Sequence, residues 1–304
     1  MITQVYEWLM LPVQKALYTS VILICATVFF LLIDAAIPKF KDWTRVIFLF
    51  VVVATVGRDV LSAFTLIEEI ASVFSGLFLS LYPLLSTMLL FSNSVLSVMS
   101  WHPAILFFVQ LMVYISSKWL IPAVGIAIIL DFASTLVPNV SFARMAELLR
   151  FTVLTIVSAC VIGYTFLMTI SGIALLSVSQ VIAGPLKKVV EQTIPLVGSF
   201  VIEGFSLFNQ FTTLTTSWLG ITAMVTVWTL AFLPTLQLVL SAFTFKYLAA
   251  LLEPIAYGEI SRLLDEVGRS IFVLCGVSFL LAFAFVFTCL FLLVMVKMTV
   301  GGAM

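Results

Sequence analysis

The sequence contains very little charge for its length, and this scarcity decides its class. Only 9% of the 304 residues are charged, 63% are hydrophobic, and the mean hydropathy is +1.28, whereas soluble domains carry about 25% charged residues. Water therefore cannot be the main solvent of this chain. A segment inside a bilayer must satisfy its backbone amides internally, and the apolar runs here have the length of about 20 residues that helices need. The sequence predicts an all-α, polytopic transmembrane helical bundle.

Histidine, paired cysteine and clustered basic residues are also scarce, and each shortage excludes a class of function. His102 is the single histidine and the four cysteines show no CxxC spacing, so the usual metal sites and catalytic triads lack their ligands. No GxxxxGK[ST] phosphate loop is present. The 14 basic residues are balanced by 14 acidic ones and form no block, which excludes a nucleic-acid surface. We therefore expect a non-enzymatic protein with no cofactor, no metal and no nucleic-acid partner.

The apolar segments predict about six to eight membrane spans, several of them broken by proline. The clearest spans are residues 16–37, 73–98, 151–176, 218–245 and 270–296. Residues 1–15 fit a cleavable signal peptide poorly and are expected to be a short tail. No long segment lacks a strong apolar run, so we expect a single integral membrane domain over residues 1–304.

Four further segments can be interpreted either as full spans or as re-entrant or interfacial helices. They are residues 46–70, 104–132, 177–209 and 247–269. The first contains Arg58 and Asp59, and the second is interrupted by Lys118 and Pro122. The last two are amphipathic stretches, too charged for simple spans and too apolar for free loops, which favours helices in the interface or packed in a hairpin. Basic residues divide about equally between the two sides, so charge leaves the membrane orientation open.

Residues 133–150 have a mixed composition that predicts a short surface helix before the next span. Arg144, Glu147 and Arg150 follow one another at steps of three residues. Such spacing places Glu147 within one helical turn of both arginines. We expect these three side chains to form a solvated face.

Prolines and ionisable residues in or beside apolar segments are the candidate conduit or gating positions. Discontinuous helices expose backbone polar groups to a path through the membrane, and a charge at that depth needs a partner or water. Simple kinks and interfacial snorkelling are the alternatives. The candidates are Pro83, Pro122, Asp131, Pro195, Glu203, Pro234, Lys246, Glu253 and Pro254. Lys246 and Glu253 stand two helical turns apart, so we expect them to flank a hairpin turn that lines a conduit.

Several short motifs, in a fixed order from about residue 72 onward, resemble the stage III sporulation protein AE family. They are the apolar helix around Pro83, the turn His102-Pro103, the motif Glu147-Leu148-Leu149-Arg150, the element Ile194-Pro195-Leu196-Val197-Gly198 followed by Gly204-Phe205, and residues 245–269. Each motif is apolar and unspecific by itself. Their order and spacing carry the resemblance.

The resemblance implies a subunit of the channel or secretion complex that links mother cell and forespore and that forespore maintenance and late development require. It would lie in the mother-cell membrane around the forespore, with the other subunits of that complex, including a separate ATPase, as partners. A homo-oligomer is also compatible with this role. Broken helices and buried charge keep a second hypothesis open, a self-contained secondary transporter for a small solute or ion.

Overall fold

The computed structural model describes residues 2–37, 41–91, 102–136, 142–170, 218–254 and 258–301, and within these ranges the chain is helical and contains no strand. The helices are α1 (Ile2–Ala36), α2 (Lys41–Phe91), α3 (His102–Ile115), α4 (Ile121–Leu136), α5 (Ala143–Ile170), α6 (Trp218–Leu252) and α7 (Gly258–Gly301). A π-helical turn, Ser116–Leu120, joins α3 to α4. The predicted all-α class is confirmed.

Within the described residues, six segments are long and apolar enough to cross a membrane. They are Tyr18–Ala36, Trp43–Leu77, Phe107–Leu136, Ala143–Leu167, Phe232–Leu252 and Gly258–Val286. Large apolar side chains on these segments, such as Phe50, Phe107 and Phe166, are exposed, as suits a surface that faces lipid rather than water. The chain is a multi-pass helical membrane protein.

Helix α2 replaces two elements that the sequence suggested. Residues 46–70 and the span predicted to begin at residue 73 form one continuous helix that ends at Phe91. No glycine or proline separates Ile70 from Val73, and the side chains of Glu68 and Glu69 are exposed, so nothing in the backbone interrupts the helix. Pro83 lies inside it.

The interrupted region 104–132 is neither two separate half-helices nor a re-entrant hairpin. It forms one span, Phe107–Leu136, in which the wide turn Ser116–Leu120 directly precedes Pro122. A proline has no N–H, and its ring collides with the carbonyl four residues earlier, here that of Lys118. The π-helical turn widens the backbone at this carbonyl, so the chain continues as a helix.

The second amphipathic stretch, residues 247–269, is not a separate interfacial helix. Helix α6 extends to Leu252, a turn contains Glu253 and Pro254, and α7 starts at Gly258 and continues into the last span. The carbonyl of Ala249 accepts hydrogen bonds from the Glu253 N–H (3.0 Å) and from the Ser261 hydroxyl (2.8 Å). These bonds close a helical hairpin. The first amphipathic stretch, residues 177–209, lies outside the described residues.

Helix α5 also includes part of the surface helix that was predicted as a separate element at residues 133–150. The carbonyl of Phe142 accepts hydrogen bonds from the N–H groups of Met145 and Ala146, which starts the helix at Ala143. The expected surface helix at residues 133–150 is therefore the end of α4, a connection and the first two turns of α5.

The helices contribute to two compact units. The first unit comprises Met1–Glu69, Trp119–Leu154 and Leu233–Cys275, and the second comprises Ile70–Lys118, Thr155–Phe232 and Gly276–Met304. The expectation of a single membrane domain stays a prediction.

The second unit is held by aromatic packing. The rings of Phe74 and Phe285 stack with centroids 4.6 Å apart, and Tyr164 meets Phe283 edge to face at 5.9 Å. The Tyr164 hydroxyl lies 3.1 Å from the hydroxyl of Thr288. A buried phenol needs such a partner because its hydroxyl has left water.

Candidate functional site

The first unit contains a buried arginine that joins three helices. Arg150 on α5 donates from Nε to Ser270 Oγ at 2.8 Å and from Nη1 to Glu266 Oε2 at 2.6 Å, both on α7. Its Nη2 donates to Asp131 Oδ2 on α4. The planar guanidinium offers donors in fixed directions, and here three of them reach three different acceptors. Arg150 therefore fixes α4, α5 and α7 against one another.

Burial of Arg150 follows from its place on the helix, not from its chemistry. Ala146, Arg150, Val153 and Val157 recur at intervals of three and four residues, and all four are buried. That spacing is one face of a helix, so Arg150 occupies a core position between apolar neighbours. The predicted solvated face of Arg144, Glu147 and Arg150 is therefore wrong at Arg150, although Arg144 and Glu147 are exposed.

A second group of charges continues the network on α6 and α7. Lys246 Nζ on α6 lies 2.9 Å from Asp265 Oδ1, and Arg269 Nη2 lies 3.1 Å from Asp265 Oδ2. Arg269 Nη1 also approaches Glu266 Oε2 at 3.8 Å. Because Glu266 is bonded to Arg150 as well, the two groups form one continuous network. We call it the charge cluster: Asp131, Arg150, Lys246, Asp265, Glu266 and Arg269.

The charge cluster is electrically balanced. Its three cations, Arg150, Lys246 and Arg269, match its three carboxylates, Asp131, Asp265 and Glu266. A single charge at bilayer depth costs about 2.5–3.5 kcal/mol on insertion scales. Mutual pairing removes the need for each charge to find water by itself, so the cluster can persist inside apolar helices.

The cluster lies near one end of four helices. Arg150 is in the second turn of α5, Asp131 is five residues before the end of α4, and Glu266 is eight residues after the start of α7. At a rise of 1.5 Å per residue, these positions are about 8–12 Å from the helix ends. The ends of α4 and α6 and the starts of α5 and α7 therefore lie at this same end of the first unit.

Chemically, the cluster is suited to holding helices together. It contains carboxylates, guanidinium groups, an ammonium and the Ser270 hydroxyl, all engaged with one another. Within the described ranges no three histidine, cysteine or acidic residues are grouped as metal ligands. No side chain here is arranged as a nucleophile beside a base.

Two of the predicted conduit residues belong to the cluster. Asp131 is a buried acceptor of Arg150, and Lys246 is a half-exposed donor to Asp265. Glu253 and Pro254 are exposed in the turn after α6, so the structure does not bring them to the cluster. The turn that Lys246 and Glu253 were expected to flank is present. Its role in a conduit stays a prediction.

The predicted prolines occupy different settings. Pro83 lies within α2, Pro234 within α6, and Pro122 at the second position of α4 after the π-helical turn. Pro195 and Glu203 lie outside the described residues. A role for any of these five in a path through the membrane stays a prediction.

Sequence reasoning did not select Arg150, Asp265, Glu266 or Ser270 as site residues. Arg150 and its partners on α7 are far apart along the chain: Glu266 lies 116 positions from Arg150 and Ser270 lies 120 positions from it. The helical spacing of the apolar residues Ala146, Val153 and Val157 around Arg150 was a usable signal in the sequence. A charged residue on an otherwise apolar stripe indicates a buried partner.

Comparisons with known proteins cover nearly the whole chain. Residues 9–299 match the family Stage III sporulation protein AE. The Stage III sporulation protein AE of Bacillus subtilis (strain 168) is 22% identical over 203 residues, which are 67% of this chain and 51% of the relative. The chain thus spans about half the length of that curated relative. No solved structure matches the chain. Because the family match extends over residues 9–299 of the 304, this chain belongs to the stage III sporulation protein AE family.

Proposed function

We propose that the chain is a non-enzymatic, multi-pass membrane subunit of the channel or secretion complex that links mother cell and forespore. It lies in the mother-cell membrane around the forespore and works with the other subunits of that complex, including a separate ATPase. The observation that carries this proposal is the family match over residues 9–299.

The helical architecture supports a role in shaping a passage. Six described segments have the length and apolarity of membrane spans, and a balanced charge cluster ties α4, α5, α6 and α7 together within the first unit. Paired charges inside a membrane bundle commonly mark ion or substrate paths. Asp131 and Lys246 are the predicted conduit residues that this cluster contains.

Deletion of the gene in its native spore-forming host tests the proposal. Sporulating cells are followed by microscopy, and engulfment, forespore size and late forespore gene expression are scored. We expect engulfment to finish, forespores to shrink and late expression to fail, because the forespore loses its supply. Normal sporulation of the deletion strain would overturn the proposal.

A pair of variants connects the phenotype to the cluster. Arg150→Ala removes the buried centre of the network, whereas Arg45→Ala removes one partner of the exposed Arg45–Glu259 pair. With equal amounts of chain in the membrane, we expect Arg45→Ala to restore late expression and Arg150→Ala to fail. If both variants restored late expression equally, the charge cluster would not be needed for the function.

Reconstitution separates a channel subunit from a self-contained transporter. The purified chain is placed alone in lipid vesicles, and uptake of small ions and solutes is measured. A subunit that needs its partners gives no substrate-specific, saturable uptake. Saturable uptake by the chain alone would favour the transporter.

A further inference from the structure

Two helical hairpins in the first unit have matching construction. One consists of α4 and the start of α5, the other of the end of α6 and the start of α7. The connection has a similar length in both, six residues between Leu136 and Ala143 and five between Leu252 and Gly258. A proline stands two residues after the end of the first helix in both cases, Pro138 after Leu136 and Pro254 after Leu252.

A shift of 115 residues aligns the second helices of the two hairpins. It carries Leu148-Leu149 onto Leu263-Leu264, Ile156 onto Ile271, and Cys160 onto Cys275. The same shift reverses the sign of every charge between residues 119 and 154. The charged pairs are Asp131 and Lys246, Arg144 and Glu259, Glu147 and Arg262, and Arg150 and Asp265.

The ion pairs in the structure follow the same shift of 115 residues. Asp131 bonds to Arg150 within the first hairpin, and Lys246 bonds to Asp265 within the second. Both pairs join residues that are 19 apart in the sequence. Each hairpin is thus closed by one ion pair at the same place and with opposite polarity.

The two hairpins lie side by side without inversion. Arg150 on α5 contacts Glu266 and Ser270 on α7, and all three are within a few turns of the start of their helices. Helices α4 and α6 both end, and α5 and α7 both begin, at the end of the unit that holds the charge cluster, so the two hairpins point in the same direction. Parallel repeats related by an axis along the membrane normal are a known plan of membrane proteins, with the functional site between the repeats.

We propose that residues 121–154 and 236–269 are charge-reversed copies of one hairpin, and that the boundary between them opens while each hairpin stays intact. Across the boundary, Arg150 donates hydrogen bonds to Glu266 and to Ser270. When it opens, Arg150 keeps Asp131 and Glu266 keeps Arg269. No charge is left alone, so the penalty for an unpaired buried charge is avoided. This inference concerns the hairpins alone and does not depend on a role in sporulation.

The carboxylate that meets Arg150 across the boundary is not one of the four sign-reversed pairs. Under the same shift Glu266 corresponds to the uncharged Phe151, whereas the reversed residue Asp265 is bonded to Lys246 and Arg269 within its own hairpin. The charged bond between the hairpins therefore runs from Arg150 of the first hairpin to Glu266 of the second.

The accessibility of positions 274 and 275 on α7 to a thiol reagent tests whether the boundary between the hairpins opens. Leu274 lies one turn beyond Ser270, on the face toward α5, whereas Cys275 lies two turns beyond Gly268, whose backbone packs against Lys246 and Ala242 of α6. Both side chains are buried. Chains without the other native cysteines carry either Leu274→Cys with Cys275→Ala, or Cys275 alone. A hydrophilic maleimide is added to both sides of permeabilised membrane vesicles.

Glu266→Ala removes one charged hydrogen bond of the boundary, and we expect labelling at position 274 to rise about tenfold. Labelling of Cys275 should stay unchanged, because both intrahairpin ion pairs remain. Glu259→Ala, which breaks the exposed pair with Arg45, is the matched control and should change neither position. Equal labelling of position 274 in the Glu266→Ala and Glu259→Ala chains would overturn the opening boundary.

Reversing the ion pair of the first hairpin tests whether the two hairpins are charge-reversed copies. The double variant Asp131→Lys with Arg150→Asp gives the first hairpin the polarity of the second, so its own ion pair is retained while position 150 now repels Glu266. We expect fast labelling at position 274 and slow labelling at Cys275. Adding Glu266→Lys should restore slow labelling at position 274. Fast labelling of Cys275 in the double variant, or no restoration in the triple variant, would contradict the proposal.

Discussion

Arg150 Nη1 donates a 2.6 Å hydrogen bond to Glu266 Oε2, and this bond joins α5 to α7 through two residues that are 116 positions apart in the sequence. The same guanidinium holds Asp131 and Ser270. One side chain thus links α4, α5 and α7. The stability of the first unit should depend on it far more than on exposed ion pairs.

Arg150→Ala should lower the free energy of unfolding by about 3–5 kcal/mol, because it leaves the buried Asp131 without its cation. Arg45→Ala should cost no more than about 1 kcal/mol, since the Arg45–Glu259 pair is half-exposed and such pairs contribute little. Equilibrium unfolding of the purified chain in detergent micelles, at several denaturant concentrations, measures both. Similar losses for the two variants would refute a special role of Arg150.

Asp131→Asn and Arg150→Gln should not be additive. Arg150→Gln leaves Asp131 buried without its cation, and Asp131→Asn takes one of two carboxylates from Arg150, which keeps Glu266. The double change removes both charges, so it should cost less stability than the two single losses together. Coupled buried pairs typically show interaction energies of about 0.5–3 kcal/mol. A double-mutant cycle from the same unfolding experiment gives the value, and strict additivity would show that the two residues act independently.

Much of the fold was accessible from the sequence, and the cluster was not. The apolar runs around α1, α5, α6 and α7 have a length that hydrocarbon thickness dictates, so composition locates them. Continuity of α2 was missed, and that of the α3 to α4 region was left open, because charges and Pro122 resemble breaks when packing is unknown. Arg150 was interpreted as solvated because its partners come from α4 and α7. The apolar stripe around it indicates burial, but a single sequence does not identify partners that lie so far away.

Gly268→Ala should destabilise the α6–α7 hairpin by about 1–3 kcal/mol through overpacking. A methyl group there would lie 3.0 Å from Lys246 Cγ and 3.2 Å from the backbone oxygen of Ala242, and the backbone cannot move aside easily. Gly57→Ala is the matched control, because its methyl group meets nothing within 4 Å. Unfolding in micelles should show a loss for the first variant and none for the second.

Tyr164→Phe should cost about 1 kcal/mol, because the hydroxyl bonded to Thr288 is buried and its partner loses a hydrogen bond. Tyr114→Phe removes a hydroxyl from an exposed tyrosine and should be neutral. Thermal unfolding of both variants, followed by circular dichroism, distinguishes them. A Tyr164→Phe chain as stable as the parent would show that aromatic packing alone holds this part of the second unit.

The π-helical turn at Ser116–Leu120 predicts how the lengths of related sequences should differ at this point. A wide turn holds one more residue than an α-helical turn, and each residue rotates a helix by about 100°. Relatives that have another residue in place of Pro122 are free to close this turn. They should be one residue shorter at this point, so that an alignment gap, and not a substitution, records the loss of the proline.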